Sequence, residues 1–230
     1  MSDIVLTNTL TGKLERFEPL KAGEAGLYVC GLTPYGPTHL GHARCYVFFD
    51  IVRRTLEAVG LKVTHIQNFT DVDDRIIDLS AKEGVTPAVF AGRFIDDYFE
   101  VIDALNVKRA EVYPKVTEFI PQIIAIIKEL VDRGHAYAAA NGDVYFSVSS
   151  LQGYGKLSKR NMEELLAGAR VDVSEAKQDP MDFALWKSAL SEEQKAKSGS
   201  AGVWWDSPWG CGRPGWHIEC SAMSTHYLGQ

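Results

Sequence analysis

Two histidines near the start of the chain have the type and the spacing to hold an anion. His39 and His42 lie three residues apart, on one face of a predicted first helical turn, and both rings can donate hydrogen bonds. An apolar segment, residues 27–29, precedes them and predicts a strand. The loop between is broken by Gly31, Pro34, Gly36 and Pro37. Free backbone N–H groups and the helix dipole would point into this loop, so the segment predicts an anion site.

Two cysteines form a second group with chemical potential. Cys30 comes just after the predicted strand, and Cys220 lies near the other end of the chain, so no local zinc-binding spacing links them. Isolated cysteines are more often small buried side chains than metal ligands. Spacing alone therefore does not predict a zinc site. Cys45, inside the predicted helix, is interpreted as a core residue.

The elements that would position these side chains form a βαβ pattern. The helix after His39 has apolar residues at helical spacing and ends at Gly60. A second strand covers residues 62–70. A strand, a helix and a strand of this length predict parallel strands with a right-handed crossover, which is half of a Rossmann-like α/β fold.

Three aspartates follow the second strand and allow two interpretations. Asp71, Asp73 and Asp74 have the oxygen ligands that magnesium prefers. Asp73 or Asp74 can instead cap a helix that starts near Arg75, which is the usual role of aspartate at such a position and is favoured here. Asn68 and Thr70 lie at the carboxyl end of the strand, where ligands bind in open α/β sheets.

The remaining pattern predicts a hairpin, further helices and an insertion. A hairpin is predicted at residues 4–18, helices at 86–104 and 117–133, a second hairpin around residues 136–147, and a helix from residue 217 onward. Residues 191–200 are expected to be solvated and mobile. The predicted division is residues 1–112 for the first Rossmann-like half, 113–200 for an α+β connective insertion, and 201–230 for a return to the catalytic domain.

Composition restricts the class of protein. The 230 residues carry a net charge of −6, which argues against a generally basic nucleic-acid-binding surface but not against a local basic patch. Four cysteines are too few for a disulfide scaffold, and neither a signal peptide nor a membrane span is expected. A cytoplasmic, reduced protein without membrane contact is predicted.

These segments together resemble one family. His39, Leu40, Gly41 and His42 are similar to the "HIGH" signature of class I aminoacyl-tRNA synthetases. The Tyr-Val-Cys-Gly segment that contains Cys30 and the Gly-Trp-His-Ile-Glu-Cys segment that ends at Cys220 resemble motifs of cysteinyl-tRNA synthetases. The resemblance extends over residues 4–228.

The resemblance implies roles for individual residues. It places ATP at Thr33, His39, Gly41 and His42, with the two histidines as catalytic groups. It places L-cysteine at Gly31, Thr70 and Trp216, and a zinc ion at Cys30 and Cys220. The family's two further zinc ligands, a histidine and a glutamate, come from a later segment that does not occur before Gln230.

The implied activity is cysteine–tRNA ligation: ATP with Mg²⁺ activates L-cysteine, and the acyl group passes to tRNA(Cys). We expect the chain to be an incomplete catalytic fragment of a monomeric enzyme. Two alternatives stay open, a cysteine ligase of the mycothiol pathway with an amino-sugar acceptor and a non-catalytic paralogue fragment. Residues 156–160 imitate the "KMSKS" loop, the second class I signature, but match an insertion segment and are interpreted as surface structure.

Overall fold

The molecule begins with a hairpin beside a parallel α/β unit. The computed structural model describes residues 4–159, 176–189 and 203–229, so the predicted mobile stretch 191–200 lies outside the described residues. Strands β1 (Val5–Asn8) and β2 (Lys13–Arg16) pair antiparallel, as predicted. Gly12 closes the turn with φ of 73°, a left-handed conformation that favours glycine.

The predicted βαβ unit is present. Strands β3 (Glu24–Val29) and β4 (Lys62–Gln67) pair in parallel, and helix α1 (Leu40–Ala58) connects them. Strand β4 ends earlier than predicted because the chain then leaves β3 and pairs on its other side, where the Phe69 N–H donates to the Pro114 carbonyl at 2.9 Å. Parallel bridges from Ile66 to Val112 and from Phe69 to Lys115 add a third extended segment to the sheet.

Two helices follow the sheet, and their starts explain the aspartates. Helix α2 (Asp74–Glu83) is capped by Asp73, whose carboxylate accepts from the Arg75 N–H at 2.9 Å. Asp71 accepts from the N–H and the hydroxyl of Thr117, and Asp74 pairs with Lys187 at 3.0 Å. The capping interpretation is confirmed for Asp73, while Asp71 and Asp74 each hold a distant part of the chain. Helix α3 (Pro87–Ala104) begins at its predicted position.

The rest of the chain packs a second sheet against helices. Helix α4 (Ile120–Asp132) starts three residues later than predicted, because a 3₁₀ turn, Val116–Glu118, comes first. The antiparallel sheet has four strands in sequence order: β5 (Ala136–Ala138), β6 (Val144–Phe146), β7 (Phe183–Ser188) and β8 (Gly212–Pro214). Residues 156–159 form an exposed turn, in agreement with the surface interpretation, and residue 160 lies outside the described residues.

The last helix joins the two sheets. Helix α5 (Trp216–Leu228) packs against α4, β7 and β3, and the Leu228 side chain lies against Gly26 of β3. The helix begins one residue before the predicted start at residue 217, and Cys220 lies in its second turn. The main buried cluster contains residues of α4, β7 and α5, so α5 is packed into the core. Cys220 on this helix lies against Cys30. Within the described ranges, no helix is long and apolar enough to cross a membrane.

Candidate active site

The two histidines cap the first turn of α1. The Nδ1 atom of His39 accepts from the Gly41 N–H at 3.1 Å, and the His39 N–H donates to Nδ1 of His42 at 3.3 Å. The two rings stack with centroids 3.8 Å apart and planes 13° apart. Because both Nδ1 atoms accept hydrogen bonds, a neutral ring carries its proton on Nε2. The pair therefore offers Nε2–H donors at the positive end of a helix.

The protonation of His42 follows from its surroundings. Burial and the neighbouring His39 ring lower the pKa of His42 below its ordinary value of 6.5, while the Asp97 carboxylate opposes this shift. His42 is therefore predominantly neutral at pH 7 and serves as a hydrogen-bond donor.

The loop before α1 is attached to the two following helices. Asp97 of α3 accepts from the Thr38 N–H at 2.7 Å, one residue before the cap. Arg75 of α2 donates to the Tyr35 hydroxyl at 2.8 Å, and its guanidinium lies 4.9 Å above the same ring. Tyr35 in turn donates its N–H to the Thr33 carbonyl at 2.9 Å. Thr33 thus belongs to a loop whose shape depends on α2 and α3.

Cys30 and Cys220 come together at the carboxyl end of β3. Their Sγ atoms are 3.2 Å apart, and both cysteines are free thiols. The hydrogen bond from Cys220 lowers the pKa of Cys30 to about 7, although burial opposes it; the same contact, together with burial, raises the pKa of Cys220. A thiolate with a neighbouring thiol is the donor type that zinc prefers.

These two sulfurs fit half of a zinc site. Structural zinc is bound by four ligands, and catalytic zinc by three protein ligands with one open position. Across residues 4–159, 176–189 and 203–229, no group of three or more His, Cys, Asp or Glu side chains is placed to hold a metal ion. The sulfur pair thus suits zinc by its chemistry and would supply two of the ligands.

One buried amide connects most of the remaining predicted residues. Asn68, fully buried beyond β4, accepts at Oδ1 from the Gly31 N–H and from the Tyr28 hydroxyl, both at 3.0 Å. Its Nδ2 lies 3.4 Å from Oγ1 of Thr70, and its Oδ1 lies 3.7 Å from Sγ of Cys220. Sequence reasoning placed Asn68 with Thr70 at the ligand-binding end of a parallel strand but did not count it among the site residues.

Gly31 and Thr70 are held against neighbouring backbone and a buried acid. A Cβ on Gly31 would lie 1.4 Å from the carbonyl oxygen of Asn68, so only glycine fits there. The Thr70 hydroxyl donates to Oε2 of Glu219 at 3.3 Å. Glu219 is 2% exposed, and burial raises its pKa well above the ordinary value. Burial thus favours the protonated form of Glu219, a residue that the sequence analysis missed.

Trp216 is placed differently. It is the first residue of α5, its side chain is 63% exposed, and its ring contacts His217 at a centroid distance of 5.3 Å. It lies about one helical turn before Cys220 on the same helix. The structure thus joins Cys30, Gly31, Thr70 and Cys220 around Asn68, leaves the histidines as a separate group at the start of α1, and exposes the indole.

Comparison with known proteins gives one consistent family. Residues 16–230 match the family described as tRNA synthetases class I (C) catalytic domain. A cysteine–tRNA ligase of Desulforudis audaxviator (strain MP104C) is 55% identical over 222 residues, which is 96% of this chain and 44% of that protein. A cysteine–tRNA ligase of Clostridioides difficile (strain 630) is 53% identical over 223 residues, 97% of this chain and 46% of that protein.

A solved structure of methionyl-tRNA synthetase from Mycobacterium tuberculosis, bound by methionyl-adenylate, matches with a TM-score of 0.42 and 18% identity, over 53% of this chain and 26% of that chain. The chain spans 44% and 46% of the length of the two cysteine–tRNA ligases above. The match over residues 16–230 confirms the predicted fold class, a Rossmann-like α/β half with an α+β insertion. The chain belongs to the family of class I (C) tRNA synthetase catalytic domains.

Proposed function

We propose that this chain is part of the catalytic region of a cysteine–tRNA ligase and takes part in the ATP-dependent activation of L-cysteine. The observation that carries the proposal is the pair of free thiols, with Sγ atoms 3.2 Å apart, at the end of the strand that leads into the histidine-capped helix. Cys30 of the sulfur pair and the two histidines of the anion-binding position then lie in one continuous segment, residues 28–44, and Cys220 reaches Cys30 from α5. The names of the relatives that are 53–55% identical agree with this function.

The histidines would act on the phosphates of ATP. Attack of the cysteine carboxylate on the α-phosphate develops negative charge on phosphate oxygens. The Nε2–H groups of His39 and His42 would stabilise this charge, together with the free N–H groups of the first turn of α1. Gly41 lies in the same helical turn and Thr33 in the loop before it, and both would contact the nucleotide. Magnesium would accompany ATP, as it does in most phosphoryl and nucleotidyl transfer sites.

Zinc would be held by Cys30 and Cys220 with two further ligands from outside the described residues. When bound, it supplies a strong bond to a substrate thiol and a weaker one to an alcohol. Size alone would separate cysteine from serine poorly. Gly31, Thr70 and the exposed Trp216 would surround the amino acid. The space that a side chain of Gly31 would take is occupied by the Asn68 backbone, so glycine is needed there to keep the turn in place.

The proposal extends to the partners and to the organisation of the chain. The activated cysteine would pass to the terminal ribose of tRNA(Cys), in the cytoplasm, with a monomeric protein. The division into residues 1–112, 113–200 and 201–230 belongs to the same proposal. The insertion would then contain α4, β5, β6 and β7, while β8 and α5 return to the catalytic domain.

The test is cysteine-dependent exchange of pyrophosphate into ATP, measured on the protein at the length its own cells produce. We expect exchange with cysteine, at least about 100-fold less with serine, and loss of the cysteine signal in Cys220→Ser. Cys211→Ser, whose sulfur lies away from this pair, is the matched control. Absence of exchange with any amino acid would overturn the proposal, and charging of an amino-sugar instead of tRNA would replace the acceptor.

A further inference from the structure

We propose that Asn68 is a positioning residue for the cysteine pocket, one that sets the binding of amino acid and metal but not of ATP. This inference rests on the proposed function. Asn68 is 0% exposed and lies just beyond β4. In this stretch the backbone stops pairing with β3 and instead pairs with residues 111–116. The Asn68 side chain has no place among the proposed ATP, cysteine or zinc ligands.

The orientation of the amide is fixed by its donors. The Gly31 N–H and the Tyr28 hydroxyl both donate to Oδ1 of Asn68 at 3.0 Å. The Nδ2 group of Asn68 is itself a donor and cannot accept either of these hydrogen bonds. Oδ1 must therefore face Gly31. The Nδ2 group then faces Thr70, at 3.4 Å from Oγ1. A reversed amide would leave the Gly31 N–H opposite another donor.

The same residue also controls the position of the sulfurs. Its backbone oxygen lies where a side chain of Gly31 would be, so the Cys30–Gly31 turn rests directly on Asn68. Its Oδ1 is 3.7 Å from Sγ of Cys220 on α5. One side chain thus links the strand that carries Cys30 to the helix that carries Cys220.

The contacts of Asn68 are selective. They reach Gly31, Thr70 and Cys220, which belong to the proposed cysteine and zinc positions. The histidine pair is held instead by its own local hydrogen bonds and by the attachment of Thr38 to Asp97. Removal of the Asn68 amide should therefore disturb one substrate and leave the other.

The neighbouring residue provides a matched control. Gln67 is also a buried amide, 2% exposed, but its Nε2 donates to the Tyr98 hydroxyl on α3, away from the pocket. Asn68→Ala and Gln67→Ala each remove a buried amide from adjacent positions, so both should lower the unfolding midpoint. A general loss of stability would affect the two variants alike.

The experiment combines kinetics with zinc binding in the protein of native length. For Asn68→Ala we expect the KM for cysteine in pyrophosphate exchange to rise about 10- to 100-fold, with the KM for ATP within about twofold. Zinc affinity, measured by competition with a chromophoric chelator using zinc alone, should fall at least about tenfold. Gln67→Ala should change neither quantity beyond about twofold.

Two further outcomes keep the test decisive. If Asn68→Ala does not fold, Tyr28→Phe removes a single donor from Oδ1 and should raise the cysteine KM by about fivefold. Equal values for Asn68→Ala and Gln67→Ala, or equal increases in the KM values for cysteine and ATP, would overturn the inference. If the unmodified protein shows no exchange, the proposed function fails, and the zinc competition still decides whether Asn68 positions the sulfurs.

Discussion

Two regions of the molecule are constructed differently. One is the proposed cysteine pocket, in which Cys30, Gly31, Thr70 and Cys220 lie around Asn68. The other is the histidine turn, residues 39–42 at the start of α1. In the pocket, Asn68, Thr70 and Glu219 are at most 2% exposed, and their side-chain hydrogen bonds join residues between 37 and 152 positions apart, except for one local contact from Asn68 to Thr70. The histidine turn is held mainly by hydrogen bonds between residues two or three positions apart. One region depends on tertiary packing, and the other on local helix-capping geometry.

This difference predicts how each region responds to change. A buried, connected pocket has little freedom to adapt, so a change in it should affect folding and ligand binding together. A partly exposed turn can lose a side chain at small cost to the fold and still lose its chemistry. Substitutions in the pocket should therefore have the largest effects, and a change of charge beside the histidine turn the smallest.

The largest effect is expected at the tightest contact of the pocket. Gly31→Ala would place a Cβ 1.4 Å from the Asn68 carbonyl oxygen, and the backbone must move to avoid the clash. We expect the free energy of unfolding to fall by about 3 kcal/mol and zinc binding to be lost. Gly36→Ala, in the same loop with no atom within 4 Å of the added carbon, is the matched control.

Urea unfolding and zinc competition measure both variants. Gly36→Ala should change the unfolding free energy by no more than about 0.5 kcal/mol. Similar stabilities for the two alanine variants would show that the pocket is as adaptable as the turn, and the contrast would then be wrong.

The second prediction concerns the histidine turn. Removing the ring in His42→Ala should lower the rate of cysteine-dependent exchange about 100-fold, with the cysteine KM unchanged, because it removes one donor to the developing phosphate charge. For His39, asparagine keeps an N-cap acceptor and alanine does not. His39→Ala should therefore cost about 1 kcal/mol of stability and His39→Asn little, while both lose the rate.

Pyrophosphate exchange and thermal unfolding separate the cap from the chemistry. If His39→Asn keeps the full rate, the ring acts only as a cap. If the rate and the cysteine KM change by the same factor in either variant, the histidines contribute to cysteine binding and the two regions are not separate.

The same contrast explains what the sequence could predict. The histidine turn is a local arrangement, and its strand, loop and helix start were predicted from residues 27–44, with α1 beginning one residue after His39. Capping by Asp73 or Asp74 was predicted for the same reason, and Asp73 is the residue that caps α2. Local geometry depends on neighbouring residue types, which a sequence displays directly.

The pocket required information that the sequence does not display. Asn68 was placed only at the ligand-binding end of its strand, and Glu219 received no role, because their importance comes from contacts with residues far away in the chain. The approach of Cys30 to Cys220 was expected only from resemblance to a family, since their separation of 190 residues gives no spacing signal. The exposed indole of Trp216 equally could not be read from its neighbours.

The smallest predicted effect is a change in the pKa of His42. Its pKa is lowered by burial and by the His39 ring, and Asp97 opposes this, so Asp97→Asn should lower it further. Asparagine keeps an oxygen acceptor for the Thr38 N–H, so the loop should stay in place. Asp96→Asn, an exposed neighbour on the same helix, is the matched control and should leave the pKa unchanged.

The sign of the accompanying stability change follows from linkage. The folded protein binds a proton at His42 less readily than the unfolded chain does. The contribution of neutral His42 to the free energy of unfolding is therefore fully present above pH 6.5 and is lost as the pH falls through the folded-state pKa. Asp97→Asn should make the loss on the acid side slightly larger. Proton NMR titration of the histidine rings measures the pKa directly, and equal values in the two asparagine variants would show that the Asp97 charge does not reach His42.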